Sequence, residues 1–105
     1  MICGCFVLGA CARSMSVGPL RAGVAAANDE RWEEAVRFWT QALEKDPGSA
    51  AVHNNLAVAY EKQGDWPAAA RAYEEAMRLE PTNAVIRGNY EAFKARLDAS
   101  KRRRP

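Results

Sequence analysis

Apolar residues recur at helical spacing through the middle of the chain. In the segment that begins at Trp32 they stand at i, i+3, i+4, i+7, i+10 and i+11, and the same spacing begins again at Trp66. This spacing places them on one face of a helix, because an α-helix turns once in about 3.6 residues. Each stripe therefore predicts an amphipathic helix. The two stripes are Trp32, Ala35, Val36, Trp39, Ala42 and Leu43, and then Trp66, Ala69, Ala70, Tyr73, Ala76 and Met77.

Two further stripes predict helices before and after the second of these segments. The first covers about residues 50–63, with apolar residues at Val52, Leu56, Ala59 and Tyr60, and the second covers residues 84–98, with Ile86, Tyr90, Phe93 and Leu97. Turn residues separate the segments: Asp65 is expected to cap the helix that follows it, Pro47 and Pro81 to end the helices before them, and Thr82 to cap the last helix.

Residues 16–49 are repeated in residues 50–83. When the first window is laid over the second, seven positions are identical and no gap is needed. A constant offset over a whole window is typical of a structural repeat. The identical pairs are Val24/Val58, Ala25/Ala59, Trp32/Trp66, Ala35/Ala69, Arg37/Arg71, Ala42/Ala76 and Pro47/Pro81.

Composition excludes several classes of protein. With 105 residues the chain is too short for a multidomain enzyme, and with 27% charged residues it has no apolar run that could span a bilayer. Alanine, the best helix former, is the most frequent residue type. The net charge of +2 conceals an acidic body, since residues 29–80 hold 11 acids and 6 bases, whereas residues 81–105 hold 7 bases and 2 acids.

The repeats resemble the tetratricopeptide repeat (TPR) family, whose unit is a helix-turn-helix of about 34 residues. The second repeat matches the family pattern closely, whereas the first has Ala26 where an aromatic residue is usual and 28–30 in place of a glycine turn. The resemblance implies an all-α, TPR-like helix-turn-helix solenoid of two repeats, 16–49 and 50–83, plus a C-terminal capping helix at 84–98. The matching residues of the second repeat are Leu56, Ala57, Tyr60, Gly64, Ala69, Tyr73, Ala76 and Pro81, and those of the first are Ala22, Gly23, Ala35, Trp39, Ala42 and Pro47.

No arrangement of residues for catalysis is visible, and neither a cofactor nor a metal is expected. His53 is the only histidine, and we expect it to serve in packing or at the surface. Cys3, Cys5 and Cys11 could supply three thiolates to a metal, but no fourth ligand lies near them. We therefore predict that the chain is not an enzyme.

By its resemblance to the family, the chain is expected to be a non-catalytic adaptor or scaffold. A protein or peptide partner would bind on the concave face, and self-association is a second way to cover that face. A clamp for a C-terminal carboxylate is not expected, because only Asn55 matches its residues. Packing between neighbouring helices is an alternative role for the apolar members of this face. The expected partner-binding residues are Leu20, Val24, Asn54, Asn55, Val58, Glu61, Lys62 and Arg96.

The basic C-terminal tail, residues 99–105, supports a rival function. Its cluster Lys101–Arg104 could contact the phosphates of a nucleic acid or an anionic surface. It lacks the interleaved aromatic residues that stack on bases, so nucleic acid is the less favoured partner.

Residues 1–15 form an apolar leader that differs from the rest of the chain. Leu8-Gly9-Ala10-Cys11 resembles the bacterial lipoprotein processing box, which implies a lipid at Cys11 and a place on the periplasmic side of a membrane. However, no base precedes Cys11 and the apolar run is short for a signal peptide; a start codon assigned too far downstream would explain both. The alternative is a leader that is disordered or packed in the groove of a cytoplasmic protein.

Overall fold

The computed structural model describes residues 18–103, which form five α-helices. Successive helices pack against each other, so that α1 and α2 form one pair, α3 and α4 form the next, and α5 lies against α4. The predicted all-α architecture of paired helices with a final helix is confirmed. The helices are α1 (Pro19–Asn28), α2 (Trp32–Lys45), α3 (Ala50–Lys62), α4 (Trp66–Leu79) and α5 (Ala84–Arg102).

Side-chain caps fix the first residues of α3, α4 and α5. The predicted cap of α4 is confirmed, because Asp65 Oδ1 accepts a hydrogen bond of 3.2 Å from the backbone N–H of Ala68. The predicted cap of α5 is wrong by one residue. Asn83, in extended backbone, accepts hydrogen bonds at Oδ1 from Val85 (3.0 Å) and Ile86 (3.2 Å), so Thr82 lies outside the helix.

Helix α5 continues beyond residue 98, where the capping helix was expected to end. Lys101 and Arg102, which were expected in the basic C-terminal tail, are therefore helical. The leader, including Cys11, lies outside the described residues, as do Arg104 and Pro105.

The turn within each helix pair has the same backbone shape despite different residues. Gly64 has a φ of 79°, and Glu30, which is its equivalent in the first repeat, has a φ of 59°. In both turns the next residue closes the helix end: Arg31 N–H donates to Ala26 O and Asp65 N–H to Tyr60 O, each at 2.9 Å. The unusual turn of the first repeat thus keeps the geometry of the second, although it places a non-glycine residue in the left-handed region.

The predicted apolar stripes form the core. Helix α5 completes it, because Phe93 lies against Tyr73 with ring centroids 5.1 Å apart and against Trp66 with centroids 5.7 Å apart. Such offset aromatic contacts add to the stabilisation from burial. The buried members of the stripes include Ala35, Trp39, Ala69, Tyr73, Ala76, Val52, Leu56, Ala59, Ile86 and Phe93.

A small residue lies beneath a large aromatic ring in the first helix pair. A β-carbon added to Gly23 would lie 2.5 Å from Cδ1 and 2.7 Å from Cε2 of Trp39, so the indole occupies the place of a side chain. The indole Nε1–H also donates to Leu20 O at 3.1 Å. In the second repeat the equivalent residues are Ala57 and Tyr73, and both are buried. A larger ring is thus matched by a smaller partner.

We predict that Gly23→Ala destabilises the protein, although alanine is the better helix former. The added methyl group overlaps the Trp39 indole, and overpacking of this kind costs about 1–3 kcal/mol. For a domain of this size, each kcal/mol lowers the Tm by about 4–8 °C. Thermal unfolding followed by circular dichroism measures the change.

The matched control is Gly88→Ala in α5, where no atom lies close enough to meet the new methyl group. This variant is expected to gain about 0.5–1 kcal/mol. The double variant Gly23→Ala/Trp39→Tyr recreates the pair of the second repeat and should be more stable than the sum of its single changes implies. Equal effects of the two glycine substitutions would contradict the packing argument.

Candidate functional site

Two adjoining hollows lie between the helix pairs on one side of the stack. The first has a volume of about 240 Å³ and the second of about 460 Å³, and Val58 of α3 lines both. We call the two together the groove. The first hollow is lined by Val24, Ala27, Asn28, Trp32, Trp39, Asn55 and Val58, and the second by Val58, Glu61, Lys62, Trp66, Tyr73, Asn89 and Arg96.

The internal repeat relates the two hollows. The shift that lays the first repeat over the second carries every lining residue of the first hollow except Val58 onto a lining residue of the second. Their chemistry nevertheless differs, because Ala27 corresponds to Glu61 and Asn28 to Lys62. The first hollow has no charged residue in its lining, whereas the second has three.

Glu61 is held by contacts within the protein. Its carboxylate forms an ion pair with Arg96 of α5, in which Nη2 donates to Oε1 at 3.0 Å, and it accepts a hydrogen bond of 3.3 Å from the Tyr73 hydroxyl. The Glu61 side chain is only 12% exposed, whereas that of Arg96 is 52% exposed. Glu61 therefore joins three helices, and Arg96 still presents a cation to the groove.

Asn54 forms a second contact between α3 and α5. Its Oδ1 accepts a hydrogen bond of 3.2 Å from Nδ2 of Asn89. The equivalent residues at the α1–α3 junction are Leu20 and Asn55, which cannot form such a pair because leucine has no polar side-chain atom. The polar contacts thus hold α5 in place and leave Asn55 without a side-chain hydrogen bond in the described part of the chain.

The remaining expected binding residues divide between the groove and another surface. Val24 is 42% exposed in the first hollow, and Lys62 is exposed in the second, with no ion pair among residues 18–103. Leu20 lines a separate hollow with Ala42 and Val52, away from Val58. The structure brings together Val24, Asn55, Val58, Glu61, Lys62 and Arg96; it places Asn54 at the α3–α5 junction and Leu20 outside the groove.

The sequence pattern alone did not assign Trp32 and Trp66 to the groove. Both belong to the apolar stripes of α2 and α4, and such stripes usually face a core, but both residues are only half-buried and line the hollows. The sequence offered one signal for a shared role at the surface: the two tryptophans occupy the same position in the two repeats.

Other titratable and metal-binding candidates lie outside the groove or form no site. His53 Nε2 lies 3.0 Å from Pro47 O, a contact that fits its expected packing role. Across residues 18–103 no group of three or more His, Cys, Asp or Glu residues could hold a metal ion. Within the same range no helix has the length and apolar character needed to cross a bilayer.

Comparison with protein families identifies the repeats. A model of the tetratricopeptide repeat matches residues 50–83, and a model of the TPR repeat matches residues 29–64. The chain is a tetratricopeptide repeat protein. Together the two matches extend over residues 29–83, from the turn before α2 to the turn before α5, so α1 lies outside them. Comparison with curated proteins found no match.

Membership of the TPR family indicates a general kind of function. The family's repeats are typical of protein–protein interaction modules and are generally non-catalytic, and neither match identifies a catalytic domain. Neither match names a partner for the groove of this TPR protein.

We predict that Tyr73 makes the stability of this TPR protein fall at high pH. Burial, and then the negative charge of Glu61, raise the pKa of Tyr73 from 10.0 to about 12. Below pH 10.0 the tyrosine is neutral in both states, and its contribution to stability is lost as the pH rises from 10.0 to about 12. Urea unfolding at a series of pH values measures this decline.

Two variants test the cause of the decline. Tyr73→Phe removes the ionising group, and Glu61→Gln removes the neighbouring charge but keeps an acceptor for the hydroxyl. Both should make the decline shallower, with Tyr73→Phe having the larger effect. A wild-type slope in Tyr73→Phe would show that the loss has another source.

Proposed function

We propose that this TPR protein is a non-catalytic adaptor that binds a segment of a partner protein along the groove. The observation that supports this most directly is the pair of adjoining hollows that Val58 joins into one surface. Bound peptide segments place side chains in successive pockets, and an extended segment also offers its backbone for hydrogen bonds. In this proposal Asn55, which lines the first hollow, supplies such a hydrogen bond, because its amide both donates and accepts.

Apolar surface in the groove supplies a driving force for binding. Val24 is 42% exposed, and Trp32 and Trp66 are half-buried. Covering such surface yields about 25 cal/mol for each Å² removed from water. A role in helix packing alone would leave this surface uncovered.

We predict that Val58→Glu abolishes binding in the groove without unfolding the protein. Val58 is half-buried and lines both hollows, so a carboxylate there would lose water when a ligand covers it. Peptides selected by the wild-type protein from a random displayed library are the probe. Their affinity, measured by isothermal titration calorimetry, should fall at least about tenfold.

The matched control is Gln41→Glu, which adds the same charge at an exposed residue of α2 that lines neither hollow. It should bind like the wild type, and circular dichroism should show that both variants are folded. Equal binding by Val58→Glu would contradict the proposal. If that binding also weakened steeply with salt, the site would move to the basic end of α5, as in the rival function.

Lipid attachment at Cys11 remains a separate prediction, based on Leu8-Gly9-Ala10-Cys11. The modification would tether the adaptor to a membrane through several acyl chains, since each buried CH₂ contributes only about 0.8 kcal/mol. Mass spectrometry of protein expressed in a bacterium with the upstream codons included should find a lipidated Cys11 at the N-terminus. An unmodified soluble chain that retains residues 1–10 would contradict this prediction.

A further inference from the structure

We propose that the groove selects a partner segment in which an apolar side chain and an acidic side chain lie about three residues apart. The apolar side chain enters the first hollow and the acidic one meets Lys62 in the second. This inference rests on the proposed function, because it names the ligand of the same groove.

The two hollows differ in charge. Both derive from the same repeat positions, yet the first is lined by Val24, Ala27 and two tryptophans, whereas the second contains Lys62 and Arg96. A ligand that extends along the groove therefore meets an uncharged site and then a charged one. Selectivity follows from that order.

The net charge of the second hollow is positive. Glu61 is mostly buried and is paired with Arg96, so its charge is compensated within the protein. Lys62 is exposed and has no such partner among the described residues. The second hollow thus keeps one net positive charge, which complements a carboxylate.

The spacing follows from helix geometry. The hollows are one repeat apart, and equivalent helices of successive repeats touch, as the hydrogen bond between Asn54 of α3 and Asn89 of α5 shows. We therefore expect the hollows to lie about 8–10 Å apart, the usual distance between packed helices. An extended chain advances about 3.3 Å for each residue, so this distance corresponds to about three residues. The two specified side chains of the ligand should therefore stand at i and i+3.

Charge also selects the occupant among the available segments. The leader of this chain, residues 1–15, contains no acidic residue, and the C-terminal cluster Lys101–Arg104 is basic. Neither can complement Lys62. We therefore assign the groove to an acidic segment of a partner protein; a second copy, whose residues 29–80 hold 11 acids and 6 bases, is the competing occupant that the test separates.

Blocked heptapeptides provide the test, because acetylated and amidated ends exclude recognition of a terminal carboxylate. The probe has leucine at its centre and aspartate three residues away on each side, so that its direction in the groove does not matter, and glycine and serine elsewhere. Peptides with asparagine or lysine in place of aspartate, and one with alanine in place of leucine, complete the set. Binding to the full chain is followed by the fluorescence of the tryptophans that line the hollows.

We expect the aspartate peptide to bind about two- to fivefold more tightly than the asparagine peptide, the range of an exposed ion pair. Lys62→Glu should reverse the preference in favour of the lysine peptide. The matched control Lys45→Glu makes the same change on α2, outside both hollows, and should keep the wild-type order. Loss of leucine should weaken every complex.

Several results would overturn the inference. Equal binding of the aspartate and asparagine peptides, an unchanged preference in Lys62→Glu, or no binding of any heptapeptide would each do so. If Val58→Glu still abolished binding of the library peptides, the proposed function would survive without this ligand. Dimers in sedimentation that Lys62→Glu dissociates would instead assign the groove to a second copy of the chain.

Discussion

The close approach of two helices within each pair is the constraint on which the rest of the structure depends. In the first pair Gly23 allows the Trp39 indole to lie directly on the α1 backbone and to donate a hydrogen bond to Leu20 O. In the second pair a smaller ring, Tyr73, accompanies the larger Ala57. Because interiors are close-packed, ring and partner must vary together. The larger ring stands opposite the smaller residue in one repeat, and the smaller ring opposite the larger residue in the other, so both helix pairs can pack in a similar way.

The same buried rings also determine the chemistry of the groove. Tyr73 contacts Phe93 with one part of its ring and holds Glu61 with its hydroxyl. Glu61 in turn pairs with Arg96 and so fixes α5. Since the Glu61 carboxylate is already paired with Arg96, Lys62 is the charge in the second hollow that has no partner among the described residues. The electrostatic character of the proposed binding surface is thus a consequence of core packing.

Repetition followed by local change accounts for both the fold and its specialisation. The turn at Glu30 keeps the backbone of the turn at Gly64 although glutamate is strained there, because the backbone hydrogen bonds that close the two helix ends are alike. Changes at the groove positions, such as Ala27 against Glu61, leave the helices in place and alter only what the hollows contain. Two sites of different chemistry therefore stand at a fixed distance.

Apolar spacing along the chain predicted the internal repeat, the core stripes and four of the five helices, because helical periodicity and turn residues act locally. Helix α1 was implied only by the resemblance to the TPR family. The same resemblance named six of the thirteen residues that line the groove, namely Val24, Asn55, Val58, Glu61, Lys62 and Arg96. Contacts between helices, which appear only in the folded protein, determine the surroundings of each residue. Asn54 and Glu61 face partners 35 residues away in the chain, Leu20 lies in another hollow, and Trp32 and Trp66 line the groove. The physical reason is that hydrogen bonding and exposure depend on neighbours from other helices, which a stripe of spacing along one helix does not specify.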